Sequence, residues 1–162
     1  MLSTDDTIIN AELVREGLTT TNDPDDKGGL TVDGISQKAN PDLFIHGHPT
    51  LGSVRLRFEQ RYVEGPGFDH IINVPLRTQL IDFGINSGPM IAIQKLQEVL
   101  SVPVDGILGP KTLAAVTAHD PRVTNNALVA ARIAMLSNIV ARDPSQAKYL
   151  TGWVNRAKEF LV

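Results

Sequence analysis

The chain of 162 residues is 42% apolar and 20% charged, a balance typical of a soluble globular protein with a hydrophobic core of its own. Its formal net charge of −3 excludes the strongly basic surface that nucleic-acid-binding proteins carry, so we expect no nucleic-acid partner. Cysteine is absent, which excludes disulfide frameworks, thiol nucleophiles and thiolate metal sites.

The first predicted element is a helix from about Thr4 to Glu16. Ile9, Leu13 and Glu16 recur at i, i+4 and i+7, so we expect them to share the helix face that turns toward the core. Gly17 supplies the helix stop. This phase places a carboxylate on the core-facing side at the very end of the helix.

Residues 18–36 are rich in threonine, aspartate, asparagine and glycine, and they predict a small β-hairpin with its turn at Asp26-Lys27-Gly28-Gly29. After a loop at 40–52, apolar spacing and Pro/Gly breaks predict six further helices. Their ranges are 51–62, 75–86, 89–100, 111–118, 121–141 and 144–161. The predicted fold is mainly α, of an α+β type: a helical bundle with one small β-hairpin near the N-terminus.

Neither an export signal nor a membrane span is expected. The sequence does not open with a basic stretch followed by an apolar run. The longest apolar-rich stretch, 127–140, is broken by Arg132, Ser137 and Asn138, and is too short and too polar to cross a bilayer. We therefore expect no stable membrane insertion.

Glu16 is the first candidate for chemistry. A carboxylate is disfavoured at the negative end of a helix dipole, and partial burial beside Leu13 adds a desolvation cost. Both effects are expected to raise its pKa, which suits a general acid that protonates a glycosidic oxygen. The alternative is an ordinary surface glutamate paired with Arg15.

The acidic turn offers candidates for the second carboxylate that glycosidases use. Asp25 and Asp26 are the main ones, and Asp33 is weaker. The same residues also fit turn chemistry, because aspartate caps its own backbone in Asp-Pro and Asp-Gly settings. Sequence spacing alone leaves the choice open.

Two other features have ordinary interpretations. His46 and His48 resemble a metal chelate, but a zinc site needs a third ligand and the only other histidines are His70 and His119. We therefore expect no metal and no cofactor. Trp153 lies at helical spacing in the last predicted helix, which favours a core position over a sugar-stacking one.

Four stretches, taken in order, match one known pattern. They are Glu16-Gly17 with Asn22-Asp23-Pro24-Asp25-Asp26-x-Gly28-Gly29-x-Thr31-x-x-Gly34-Ile35; Ile81-Asp82-Phe83-Gly84-Ile85-Asn86-Ser87-Gly88-Pro89; Val102-Pro103-Val104-Asp105-Gly106-Ile107-Leu108-Gly109-Pro110-Lys111-Thr112-Leu113; and Asp143 through Arg156. Together they resemble glycoside hydrolase family 108, N-acetylmuramidases with a lysozyme-like fold found in bacteriophage endolysins and related bacterial proteins. The sequence departs from this family at Leu18 and Thr19, where the family usually has glycine and an aromatic residue.

The resemblance implies roles for individual residues. Glu16 would be the general acid. Phage-type lysozymes carry an aspartate nine residues and a threonine fifteen residues after the acid, offsets that reach Asp25 and Thr31. The family's Asp-x-Gly-Gly pattern selects Asp26 instead, and we favour it slightly.

The resemblance also implies substrate-binding positions in the later part of the chain. Asn86 and Ser87 would lie beside the cleft. Asp105 and Lys111 would contact glycan or peptide stems in a peptidoglycan-binding half. A purely structural role for Asp105 and Lys111, as a turn and a helix start, is an equal alternative.

The function implied by the resemblance is that of a phage-type endolysin. It would be a single lysozyme-like domain over 1–162, with a catalytic half at 1–86 and a peptidoglycan-binding helical half at 87–162. It would cleave the β-1,4 bond between N-acetylmuramic acid and N-acetylglucosamine in bacterial peptidoglycan. A monomer is expected, held in the host cytoplasm before lysis and reaching the cell wall in the periplasm through a holin-like pore.

Two alternatives stay open. One is a catalytically inactive peptidoglycan-binding or scaffold protein of the same fold, which the departures at Leu18 and Thr19 would allow. The other is a metal-dependent amidase or peptidase that uses His46 and His48.

Overall fold

The computed structural model describes residues 4–16, 20–21, 30–32, 35–38 and 40–162. These residues form seven α-helices, so the predicted mainly-α class is confirmed. The helices are α1 Thr4–Glu16, α2 Leu51–Glu59, α3 Val74–Ser87, α4 Pro89–Leu100, α5 Pro110–Ala118, α6 Pro121–Arg142 and α7 Ala147–Lys158. Their ends follow the predicted ones within a few residues, because Pro or Gly marks many of the boundaries, such as Gly88-Pro89 between α3 and α4.

The chain divides into two compact units, Met1–Gly65 and Pro66–Val162. In the first unit α1 packs against α2, which continues into a π-helical turn at Gln60–Glu64. The apolar residues buried in this unit include Ile8, Ile9, Leu13, Val54, Phe58 and Val63. The division into halves at residue 86 stays a prediction.

Three two-residue strands belong to the first unit. They are β1 Thr20–Thr21, β2 Thr31–Val32 and β3 Ile35–Ser36, paired antiparallel in the order β1-β2-β3. Thr21 lies opposite Thr31, and Val32 lies opposite Ile35. The turn predicted at 26–29 lies outside the described residues, so the hairpin itself stays a prediction.

The second unit is a helical bundle in which α3 and α6 supply most of the central side chains. Its fully buried residues include Leu76, Leu80, Phe83, Leu96 and Leu128. The Asn73 side chain caps α3 by accepting from Leu76 N–H, and Asp120 caps α6 by accepting from Val123 N–H. These caps fix where each helix begins.

The last helix is less buried than the sequence predicts. In α7 only Ala157 is buried, whereas Trp153 and Val154 are half-buried. The helix packs on α6 along one face and leaves the rest of its surface open. The expectation of Trp153 as a core residue is therefore only partly right.

Among the described residues, α6 alone has the length and apolar composition of a membrane-spanning helix. Core helices of soluble proteins share that property. In this unit α6 packs against α3, α4, α5 and α7 and carries a buried arginine, Arg132.

A buried ion cluster joins α3, α6 and α7. The carboxylate of Asp82 on α3 is fully buried, and its Oδ2 lies 2.6 Å from Nη1 of Arg132 on α6. Its Oδ1 accepts a hydrogen bond from Nε of Arg156 on α7, at 2.8 Å. The Arg132 guanidinium also lies 4.9 Å from the centre of the Phe83 ring, within range of a cation–π contact.

We expect Asp82→Ala to lower the free energy of unfolding by about 3–5 kcal/mol, because it leaves the buried Arg132 charge without its carboxylate. Urea unfolding followed by circular dichroism measures this. Glu98→Ala is the matched control, since Glu98 forms an exposed pair with Lys95 whose loss costs at most about 1 kcal/mol. Equal effects of the two substitutions would contradict a dominant role for the cluster.

Candidate functional site

Glu16 is the last residue of α1. Among the side chains of α1 that the structure describes, residues 7–14, the buried ones are Ile8, Ile9, Glu12 and Leu13. Position 16 follows Glu12 by four residues, so the phase of this face continues to the predicted acid. The side chains of Glu16 and Thr31, and all of Asp25 and Asp26, lie outside the described residues, and their roles stay predictions.

Glu12 is a buried carboxylate that the sequence analysis missed. Only 2% of its surface is exposed, although glutamate is among the residues least often buried. It lies one helical turn before Glu16. The spacing Ile8, Glu12, Glu16 is the signal that could have revealed it, since all three fall on one helix stripe.

Asn86 and Ser87 form the C-terminal end of α3. The chain then turns through Gly88, whose φ of +91° is a conformation that favours glycine, and Pro89 opens α4. The Asn86 side chain donates from Nδ2 to the Asp82 carbonyl oxygen at 2.8 Å. Both residues line a cavity of about 130 Å³ that Trp153 also lines.

Asp105 and Lys111 line a different cavity of the second unit, of about 500 Å³, together with Ile107 and Thr112. The structure thus brings the four predicted substrate-binding residues together as two pairs in two cavities. The substrate-binding roles of these four residues stay predictions.

The loop at 101–109, called the Asp105 loop below, is held by hydrogen bonds to Gln97, a fully buried residue of α4. Nε2 of Gln97 donates to Oδ1 of Asp105 at 2.7 Å and to the Ile107 carbonyl at 3.0 Å. Oε1 of Gln97 accepts from Gly106 N–H at 2.9 Å. Asp105 Oδ1 also accepts from Ile107 N–H, so this carboxylate oxygen closes the loop.

These hydrogen bonds explain the acidity of Asp105. The pKa of this carboxyl lies below its ordinary value of 3.8. The hydrogen bond from Gln97 is the largest cause, and the hydrogen bond from the backbone N–H of Ile107 is the second. Hydrogen bonds to the charged form favour ionisation. At neutral pH the Asp105 carboxylate is therefore ionised, and its Oδ1 accepts hydrogen bonds that hold the loop together.

The two histidines of the alternative metal-site prediction, His46 and His48, are exposed. They lie in the turn after a 3₁₀ helix at Pro41–Phe44. Over the ranges that the structure describes, no three or more His, Asp or Glu side chains gather into a group that could hold a metal.

The second unit also contains a larger cavity, of about 650 Å³. Ile71, Ile72 and Val116 contribute to its walls, with His70 and His119 among the other lining residues. The walls are mainly apolar, and none of the predicted site residues lies there. Size alone does not make it the functional site.

Comparison with known proteins identifies two family matches. Residues 9–88 match the family described as glycosyl hydrolase 108, and residues 91–158 match the family described as a predicted peptidoglycan domain. Among solved structures, Brucella abortus SagA is 26% identical, with a TM-score of 0.75 over 96% of this chain and 92% of that one. None of the curated proteins matches the sequence.

The boundary between the two family matches differs from the boundary between the compact units. The matches meet at residues 88–91, between α3 and α4, whereas the units meet at Gly65 and Pro66. Helix α3 therefore belongs to the first match by sequence and to the second unit by packing.

We expect Gly106→Ala to lower the free energy of unfolding by about 1–2 kcal/mol, because a side chain is disfavoured at its φ of +74°. A Cβ there would also approach Met90 Cγ to 2.8 Å. Gly109→Ala is the control in the same loop, since its φ is −87° and no atom lies within 4 Å of a built Cβ. Thermal unfolding of the two variants compares them, and a larger loss for Gly109→Ala would refute the assignment.

The hydrogen bond from Gln97 predicts a pH dependence for the loop. Because the folded-state pKa of Asp105 is lowered, its contribution to stability is present above pH 3.8 and is lost as the pH falls through the lowered pKa. Gln97→Met should raise this pKa toward 3.8, measured by NMR titration of the carboxyl carbon. Asp143, whose pKa is lowered mainly by Ser145, is an internal control that should not move.

Proposed function

We propose that the protein hydrolyses the β-1,4 bond between N-acetylmuramic acid and N-acetylglucosamine, because residues 9–88 match the glycosyl hydrolase 108 family. The protein is a glycoside hydrolase, a lysozyme-like enzyme that degrades peptidoglycan. The observation that carries the proposal is the order of the two matches, with a peptidoglycan domain at 91–158 directly after the hydrolase region. A hydrolase and a polymer-binding region in one chain fit a polymeric glycan substrate.

Glu16 is the proposed general acid. It would protonate the glycosidic oxygen as the bond to the leaving sugar breaks. Two features support this role: Glu16 ends α1, where the helix dipole disfavours a carboxylate, and its position continues the face that buries Glu12 and Leu13. Both features favour the protonated carboxyl that donation requires.

The second group comes from the acidic turn after α1. In the proposal, Asp26 or Asp25 stabilises the positive charge that develops on the sugar or orients the attacking water, and Thr31 helps to place that water. Support comes from the chain path, since β1 and β2 pair antiparallel and flank the stretch of sequence that contains both aspartates. No cofactor takes part in this scheme.

The biological role that fits this chemistry is that of an endolysin. The enzyme would accumulate as a monomer in the cytoplasm of a phage-infected host and would reach the wall once a holin-like partner opens the inner membrane. Its activity would then break the wall and lyse the cell.

Mass spectrometry of the released muropeptides tests the bond. We expect new reducing ends on N-acetylmuramic acid, and these should persist in EDTA because a carboxylate mechanism needs no metal. Reducing ends on N-acetylglucosamine, or free peptide stems, would refute the proposal. Purified walls that stay intact would instead favour the inactive binding protein.

We expect Glu16→Gln to lower wall-lysis activity by at least about a hundredfold, since general-acid catalysis contributes about 10²–10⁴-fold. The measurement is the loss of turbidity of outer-membrane-stripped cells. Glu64→Gln, an exposed glutamate of the same compact unit, is the matched control and should keep full activity. Full lysis by a folded Glu16→Gln protein would exclude Glu16 as the acid. Asp25→Asn and Asp26→Asn are assayed in parallel, and the variant that loses more activity identifies the second carboxylate.

A further inference from the structure

The Asp105 loop has its polar contacts inside and its apolar side chains outside. Inside, the buried amide of Gln97 holds Asp105 and its neighbours by hydrogen bonds. Outside, Val104 is 49% exposed and Ile107 is 65% exposed, and Met90 of α4, which lies against the loop, is 59% exposed. Burying these side chains would stabilise the fold, so folding does not explain their exposure. A group of exposed apolar side chains is typical of a surface that meets a ligand.

The cavity beside this loop, called the Asp105 cavity below, carries one charge of each sign. Its lining includes Pro103, Ile107 and Pro110, which are apolar, and Asp105, Lys111 and Thr112, which are polar. The Thr112 hydroxyl is buried and already accepts a hydrogen bond from Nε2 of Gln97 at 3.1 Å. The carboxylate and the ammonium group are therefore the side-chain groups of this lining that are best placed to bind a polar ligand.

Both charged groups have capacity left for a ligand. Oδ1 of Asp105 accepts the hydrogen bonds from Gln97 and from Ile107 N–H, which leaves Oδ2 for other partners. Lys111 is exposed, and within the described part of the chain it has neither an ion pair nor a hydrogen bond. Gln97 and Ile107 are the main causes of the lowered pKa of Asp105, and attraction to Lys111 adds a smaller part. The two charges thus act on each other without forming a direct ion pair.

A zwitterion on an aliphatic chain matches this arrangement. Its ammonium group would pair with Oδ2 of Asp105 and its carboxylate with Lys111. Its methylene groups would lie against Ile107 and the two prolines of the lining. Asp105 repels a simple anion and Lys111 repels a simple cation. Charge complementarity therefore favours a ligand that carries both charges over a ligand that carries one.

We propose that the Asp105 cavity binds the zwitterionic end of an un-cross-linked diaminopimelate residue in a peptidoglycan stem peptide. The choice of a zwitterion rests on the charges of the cavity, while the choice of peptidoglycan as its source rests on the proposed function. This residue carries an ammonium group and a carboxylate on one carbon, at the end of a short methylene chain. A cross-link converts the ammonium group into an amide and removes its charge. The cavity would therefore select stems that are not cross-linked.

Three tripeptides test the charge requirement on the wild-type protein. The free peptide is L-alanyl-γ-D-glutamyl-meso-diaminopimelate. In the second peptide the distal amine is acetylated, as a cross-link would leave it, and in the third the distal carboxylate is amidated. Isothermal titration calorimetry should show saturable binding of the free peptide and about fivefold weaker binding of each blocked one, the size of one partly exposed ion pair.

Free lysine tests whether the peptide is the source of the zwitterion. It carries the same pair of charges on one carbon but has a second ammonium group at the other end of its chain. The apolar side of the cavity disfavours that extra charge, so lysine should bind about fivefold more weakly than the free tripeptide. The same calorimetric titration measures this.

Two variants assign each charge of the ligand to its partner. Asp105→Asn keeps Oδ1 for Gln97 and Ile107, so it should bind the free and the acetylated peptide equally while still preferring the free peptide over the amidated one. Lys111→Met should show the opposite pattern. A purely structural role would weaken the binding of all three peptides alike. Lys158→Met is the control, an exposed lysine at the end of α7 outside this lining, and it should keep both preferences.

The comparison of peptides on the wild-type protein decides the proposal even where a variant fails to fold. Equal binding of the three tripeptides, no saturable binding of the free one at millimolar concentration, or lysine binding as tight as that of the free peptide would overturn it. The peptides contain no glycosidic bond, so the result is independent of wall cleavage. A protein that cleaves walls without this preference keeps the proposed function and loses this site. A protein that shows the preference but leaves walls intact keeps the site and loses the proposed hydrolysis.

Discussion

The second compact unit depends on one buried carboxylate. Asp82 has no exposed surface, and a charge in that position is tolerated only when cations compensate it. Arg132 and Arg156 supply them from α6 and α7, so two ion pairs to one carboxylate tie three helices together. The same ion pairs hold both arginines at the wall of the small cavity that Asn86, Ser87 and Trp153 also line.

A second set of buried polar contacts is centred on Gln97 of α4. Gln97 is buried without charge and uses both ends of its amide on the Asp105 loop. One of these hydrogen bonds is made to the ionised Asp105 carboxylate. Buried hydrogen bonds contribute modest net stability but cost more when one partner is left unpaired, so they select one loop conformation over its competitors. The residues of this loop that resemble a peptidoglycan-binding motif therefore have a structural role, because their hydrogen bonds hold the loop in one conformation.

Local signals predicted most of the fold. Asp120 and Pro121 begin α6, and Gly88 with Pro89 separates α3 from α4, because caps and φ preferences act within a few residues. The sequence did not reveal the role of Asp82 as a structural centre. Its partners lie 50 and 74 residues further along the chain, and periodicity carries no information at that range. For the candidate site, helix phase and motif select Glu16, but they do not choose between Asp25 and Asp26, because turn chemistry favours an aspartate at either position.

The position of α3 bears on how such chains are assembled in evolution. A genetic exchange at the boundary between the two family matches would separate Asp82 from both of its arginines. If the incoming α3 carries no carboxylate at position 82, the product keeps two buried cations without their anion, which costs about 3–5 kcal/mol of stability. An exchange near Gly65 instead keeps α3 with α6 and α7, so the inherited segment begins 25 residues before the second family match (91 − 66) and carries all three charges together.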